Sequence, residues 1–168
     1  MPTNRDLVIA TVKENVSLSA FDVATGEIVA TVPVGTKDVA KPHEIAVTAD
    51  GNHAFVSLYG DKDGKIWVTV DHNRCVLVID PVSREIERTI HLEVPGHFLA
   101  PSPDGSTIYF SAKEYPVVVA VDVASKTIAH RIALPVGGQA LRVSPDGRRL
   151  YVGDFHRPLL HVIDCAAA

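Results

Sequence analysis

Two histidines and a glutamine occupy one recurring position in this chain. His43, His97 and Gln139 each stand seven residues before the aspartate of a tight turn, at Asp50, Asp104 and Asp146. Neutral imidazole suits transition metals and protonated imidazole pairs with carboxylates, so these positions are the first candidates for chemistry. Glu44 follows His43 directly, and His156 and Arg157 lie just past the third turn, beside Asp154. His43, Glu44, His97, Gln139, His156 and Arg157 form the candidate ligand-binding set, able to hold a metal ion or an anionic small molecule. Glu114 and Tyr115 stand at a comparable place in the preceding repeat. The plainer reading competes at each position: polar residues at strand starts often hydrogen-bond the backbone of a neighbouring unit.

A second set, Asp61, Asp63 and His72, suits a divalent metal, the one cofactor these residues suggest. Asp61-Lys62-Asp63-Gly64 has the Asp-x-Asp-Gly opening of calcium loops, but Ile66 and Val68 stand where further oxygen ligands belong. Half a motif also fits an ordinary solvated loop. His53, His91, His130 and His161 fall on the turn face or on outer strands and receive no role.

The elements that must position these residues are repeats. Ser-Pro-Asp104-Gly recurs as Ser-Pro-Asp146-Gly, and Thr-Ala-Asp50-Gly is a third copy. Asp-Gly between alternating apolar runs is hairpin chemistry, because the Asp accepts bonds from the turn backbone and the Gly takes a positive φ. A second landmark closes another strand at Asp22, Asp80, Asp122 and Asp164. Its last three copies keep the same period as the Ser-Pro-Asp-Gly pair. Reading the β-branched runs between turns, and labelling strands a to d within each unit, gives 7–13, 15–22 and 28–34 as b, c, d. Residues 43–48, 53–59, 75–80 and 85–92 are the first full set, and 97–102, 107–113, 117–122 and 127–134 the second. Residues 139–144, 149–155 and 159–164 complete the series as a, b, c. Fourteen strands and no helix follow. Four-stranded units of this period are propeller blades, so the expected fold is an all-β, incomplete β-propeller. It forms one domain over 1–168, with units at about 1–34, 43–92, 97–134 and 139–168.

The segment Asp-Gly-Arg-Arg-Leu-Tyr151-Val152-Gly-Asp, followed by Leu-His-Val-Ile-Asp164, resembles the YVTN repeat of bacterial and archaeal propellers similar to YncE. The block from Pro42-His43-Glu44 to Ser57 resembles the other half of that repeat. The resemblance covers nearly the whole chain and implies blades of a ring that the family usually closes with seven. It implies less about activity, since lactonase-like enzymes, surface-layer proteins and electron-transfer propellers share the repeat.

Departures from the repeat point to one face. The interval from Asp50 to Asp80 is longer than its counterparts Asp104 to Asp122 and Asp146 to Asp164, and the excess falls in Gly60–Arg74. The interval from Asp22 to Asp50 is likewise longer than Asp80 to Asp104 and Asp122 to Asp146, and that smaller excess falls in Gly35–Lys41. These are b–c and d–a loops, which leave a blade at the end opposite the short a–b and c–d turns. Loops of variable length on a rigid scaffold carry binding chemistry, so this end is the expected functional face.

Composition narrows the partners. A net charge of -4 with sixteen dispersed Lys and Arg argues against nucleic acid. No apolar run approaches the roughly 18 residues that span a bilayer, and the first residues lack a secretory pattern, so the expected setting is cytoplasmic, away from membranes, or periplasmic or secreted if the true N-terminus lies upstream. Cys75 and Cys165 flank equivalent strands of different repeats and are expected as free thiols. The strand series starts without an a strand and stops without a d strand, so the chain is expected to be a truncated or split product. An open arc completed by a partner or by self-association through its open blade edges is the alternative. The expected function is non-catalytic: a binding or scaffold propeller presenting its b–c and d–a loops to a small molecule or protein. The alternatives are a lactonase-like hydrolase using His43, His97, Glu44 and Arg157 to polarise a carbonyl and guide water, or a metal-binding or redox accessory.

Overall fold

The computed structural model describes residues 6–34, 41–48, 54–59, 75–80, 85–92, 94, 97–112 and 114–166. They contain fourteen strands in four antiparallel sheets, each ordered as in sequence. The first sheet holds β1 (Leu7–Val12), β2 (Ser17–Asp22) and β3 (Ile28–Pro33). The second holds β4 (Lys41–Val47), β5 (Ala54–Tyr59), β6 (Cys75–Asp80) and β7 (Glu85–His91). The third holds β8 (Leu99–Pro101), β9 (Thr107–Ser111), β10 (Val117–Asp122) and β11 (Thr127–Ala133). The fourth holds β12 (Gly138–Val143), β13 (Arg149–Asp154) and β14 (Leu160–Asp164).

Among the described residues, side-chain bonds at turn aspartates fix several of the hairpins. In the third sheet Asp104 Oδ1 accepts bonds from the Ser106 N–H at 3.0 Å and from the hydroxyls of Ser102 and Ser106, while Gly105 takes a φ of 71°. Asp146 and Gly147 repeat this one period later. These bonds stabilise the charged carboxylates and hold both below the usual range. The c–d turns of the first and third sheets are alike: Asp22 caps the N–H groups of Ala24 and Thr25, and Asp122 that of Ser125. Each complete c–d pair also carries an irregularity at the same place, Ala20/Phe21, Val78/Ile79 and Ala120/Val121, which bends and twists the outer strand.

Alternation then decides what each sheet buries. On β5, Ala54 and Val56 pack with Leu18 and Val34 of the first sheet, whereas Phe55 between them joins the third sheet's Ile108 and Phe110. On β10, Val119 and Val121 face the second sheet, while Val118 and Ala120 meet Leu141, Leu150 and Val152 of the fourth. Every internal sheet is thus covered on both faces, and β4, β8 and β12 run side by side as its innermost strands. This is radial stacking of β-propeller blades. Phe55 and Phe110 are almost wholly buried, each stabilising its seam by about 1.5–3 kcal/mol. No strand of the first sheet pairs with the fourth among the described residues, so the arc is open. The expected insertion in Gly60–Arg74 lies outside the described residues, as does that in Gly35–Lys41 apart from Lys41 itself.

Two inner strands differ from expectation. β4 starts at Lys41 rather than at His43, and β8 is cut to Leu99–Pro101. The register of β4 shifts between Pro42 and Ile45, and that of β12 between Gly138 and Leu141. His43, Glu44, Gln139 and Ala140 are therefore the irregular residues of their strands.

Candidate functional site

The repeated rim position is tied down through its backbone. The Thr11 hydroxyl of β1 donates to the His43 carbonyl at 3.4 Å, Ser57 of β5 to that of His97 at 3.1 Å, and Ser111 of β9 to that of Gln139 at 2.5 Å. Each bond runs from strand b of one blade to the first inner residues of the next. The Ser57 hydroxyl also accepts the Glu44 N–H at 3.2 Å, so one serine links two successive inner strands. In these bonds the neighbouring blade supplies the side-chain donor and the rim residue only its backbone carbonyl.

The rings of His43 and His97, which belong to successive blades, stack with centroids 4.4 Å apart and planes tilted by 34°. Phe98 stands steeply inclined to both rings, its centroid 5.6 Å from that of His43 and 4.6 Å from that of His97. His97 is buried and His43 largely so, while Glu44 is partly open, its Oε1 3.8 Å from His43 Nδ1. Burial raises the Glu44 carboxyl above its usual range, against the pull of Arg142 and Lys13, which lowers it. That pull brings charges from the fourth and first blades to bear on a second-blade carboxylate. Gln139 holds the equivalent position in the fourth blade with its side chain exposed.

His156 and Arg157 belong to a different cluster, around Asp154. β12 and β13 pair Gly138 with Asp154, and the Phe155 N–H bonds the Gly137 carbonyl at 3.1 Å, so this b–c loop rides on the start of the inner strand. The Asp154 side chain is fully buried. It accepts N–H groups of His156 at 2.8 Å and Arg157 at 3.0 Å, and the Arg157 guanidinium reaches its Oδ2 through Nε at 2.9 Å and Nη2 at 2.8 Å. Burial opposes ionisation of Asp154, but these donors outweigh it and hold the carboxyl down at about 2. His161, to which sequence reasoning assigned no role, places Nε2 3.3 Å from the same oxygen. Arg157 is thereby committed to shaping its own loop.

His43, Glu44 and His97 therefore come together, Gln139 continues their rim, and His156 and Arg157 stand apart. Asp61, Asp63 and His72 lie outside the described residues. Among the described residues no three His, Cys, Asp or Glu side chains gather as a metal site, and Cys165 is a free thiol. Sequence reasoning missed Phe98 and the seam hydroxyls. Ser57 and Ser111 carry a signal that could have found them, since each stands seven residues after its turn aspartate.

No protein-family model matches the chain, and no curated protein matches it. Among solved structures the fold is common, with 1109 matching chains, so it identifies no single activity. One is the hydrazine synthase of Kuenenia stuttgartiensis, a β-propeller-containing protein, at a TM-score of 0.80 and 20% identity. The match covers 96% of this chain and spans 43% of that one. Such a likeness establishes the fold alone. No helix among the described residues is long and apolar enough to cross a membrane.

Proposed function

We propose that this chain is a non-catalytic binding or scaffold propeller of YVTN type, which presents its b–c and d–a loop face to a small ligand. The observation that carries this reading is the stack of His43 on His97 at the inner rim, edged by Phe98. The packed ring pair makes this part of the rim rigid, and the groups left open beside it, Glu44 and the exposed Gln139, are the polar handles for a ligand. The hydrolase alternative draws less support, because Arg157, the cation it would place at a carbonyl, is engaged by Asp154.

The test is saturation-transfer NMR of an aromatic and carboxylate fragment library against three proteins: the unaltered chain, His43→Ala with His97→Ala, and His130→Ala. Binders should be lost with the paired substitution and kept with His130→Ala. Binders that survive the paired substitution, or vanish equally in both variants, would sink the assignment.

A further inference from the structure

The two end sheets each turn one apolar face outward, and the repeat shows what such faces pack against. On the fourth sheet Leu160 and Val162 are 60% and 54% exposed, and Tyr151 pairs with Val162 on the same face. One repeat earlier in the chain, Val118, Ala120 and Tyr109 are buried against the following blade. On the first sheet Val8 is 55% and Ile28 60% exposed, and Phe21 pairs with Ile28. Their counterparts in the third blade, Ile108, Val121 and Ile128, pack against the preceding blade. The Leu160 face and the Val8 face are therefore the two halves of one kind of seam, at opposite ends of the arc. The two end blades also differ in the sign of their charge: residues 6–34 carry four acids and one lysine, a net -3, and residues 138–166 four arginines and three aspartates, a net +1.

We propose that a second copy of this chain docks head to tail. Tyr151, Leu160 and Val162 of one copy then cover Val8, Phe21 and Ile28 of the partner subunit. The contact is blade face on blade face, so no strand is shared and the strand phase at the junction places no limit on it. It removes two apolar patches from water with the packing already used at three internal seams. The partner offers the same pair of faces, and the proposed arrangement is the one in which two such contacts, related by a two-fold axis along the channel, close the pair. The proposal is independent of the ligand reading, since it concerns the blade faces and not the rim.

Light scattering after size exclusion, across a concentration series, tests it. The expected mass is twice the 18.1 kDa of one chain. Val162→Asp and Val8→Asp alter exposed positions, so each should keep the far-ultraviolet spectrum of the unaltered chain while its mass falls to that of a single chain. Mixing the two variants should restore the double mass, because one seam of the mixed pair is unaltered. A single-chain mass for the unaltered protein throughout the series overturns the proposal. So does a Val8→Asp protein that stays double, because the fourth sheets would then be pairing with each other.

Discussion

Gly138 opens the innermost strand of the fourth blade, next to Gln139, and has no room for a methyl group. A Cβ built there would lie 2.7 Å from Val152 Cγ1, 3.2 Å from Leu134 Cδ1 and 3.5 Å from Ser111 Cβ. Carbon atoms pack best at about 3.5–4.0 Å, so the first contact is a clash and the second is tight. Val152 is fully buried and β-branched, which leaves it no easy rotamer to escape into. Overpacking of this kind costs about 1–3 kcal/mol, and the lower entropy of the unfolded Ala chain returns about 0.4–1 kcal/mol. Gly138→Ala should therefore destabilise the fold by about 1–2 kcal/mol, lowering a urea midpoint by about 0.5–1 M at a typical slope of about 2 kcal/mol per M. Gly153→Ala is the control, since its Cβ meets only the Ala140 carbonyl at an ordinary 3.6 Å. A Gly138→Ala midpoint at or above that of the unaltered chain, or level with Gly153→Ala, would refute the packing argument.

Two further outcomes follow from the seams and loops. Ser111→Ala, which removes the bond to the Gln139 carbonyl, should cost about 1 kcal/mol, and Ser57→Ala, which removes bonds to both His97 and Glu44, about 1–3 kcal/mol, read as urea midpoints. Asp154 is held at about 2, below the roughly 3.9 of an unfolded Asp, so it stabilises the fold above about pH 4 and that contribution is lost as pH falls towards 2. Midpoints measured down this range should fall more steeply for the unaltered chain than for Asp154→Asn, whose remaining slope includes the contributions of Asp104, Asp122 and Asp146.

Much of the scaffold was legible because turns and alternation agree in the repeats whose turns are described. The runs read as strands at 75–80 and 117–122 coincide with β6 and β10, and the run at 53–59 differs from β5 by one residue. The inner strands were less legible. Their starts are set by the register shifts at Pro42/Ile45 and Gly138/Leu141, which change pairing without any turn residue to mark them. At the site, spacing placed His43 and His97 at one repeat position. Their stacking on each other and against Phe98 depends on the distance between neighbouring blades, which no single repeat encodes. Arg157 read as an open cation because its partner Asp154, three residues earlier, looks like part of the same polar rim until the loop folds back.

Ligands are expected to meet this molecule on its loop face, beside the paired rings of His43 and His97. Backbone amide shift mapping with any fragment bound by the unaltered chain tests it most directly. Perturbed amides should cluster at Glu44, His97, Phe98 and Gln139. Perturbations centred on the opposite end, at Ala24–Gly26, Asp104–Ser106 and Asp146–Arg148, would contradict it.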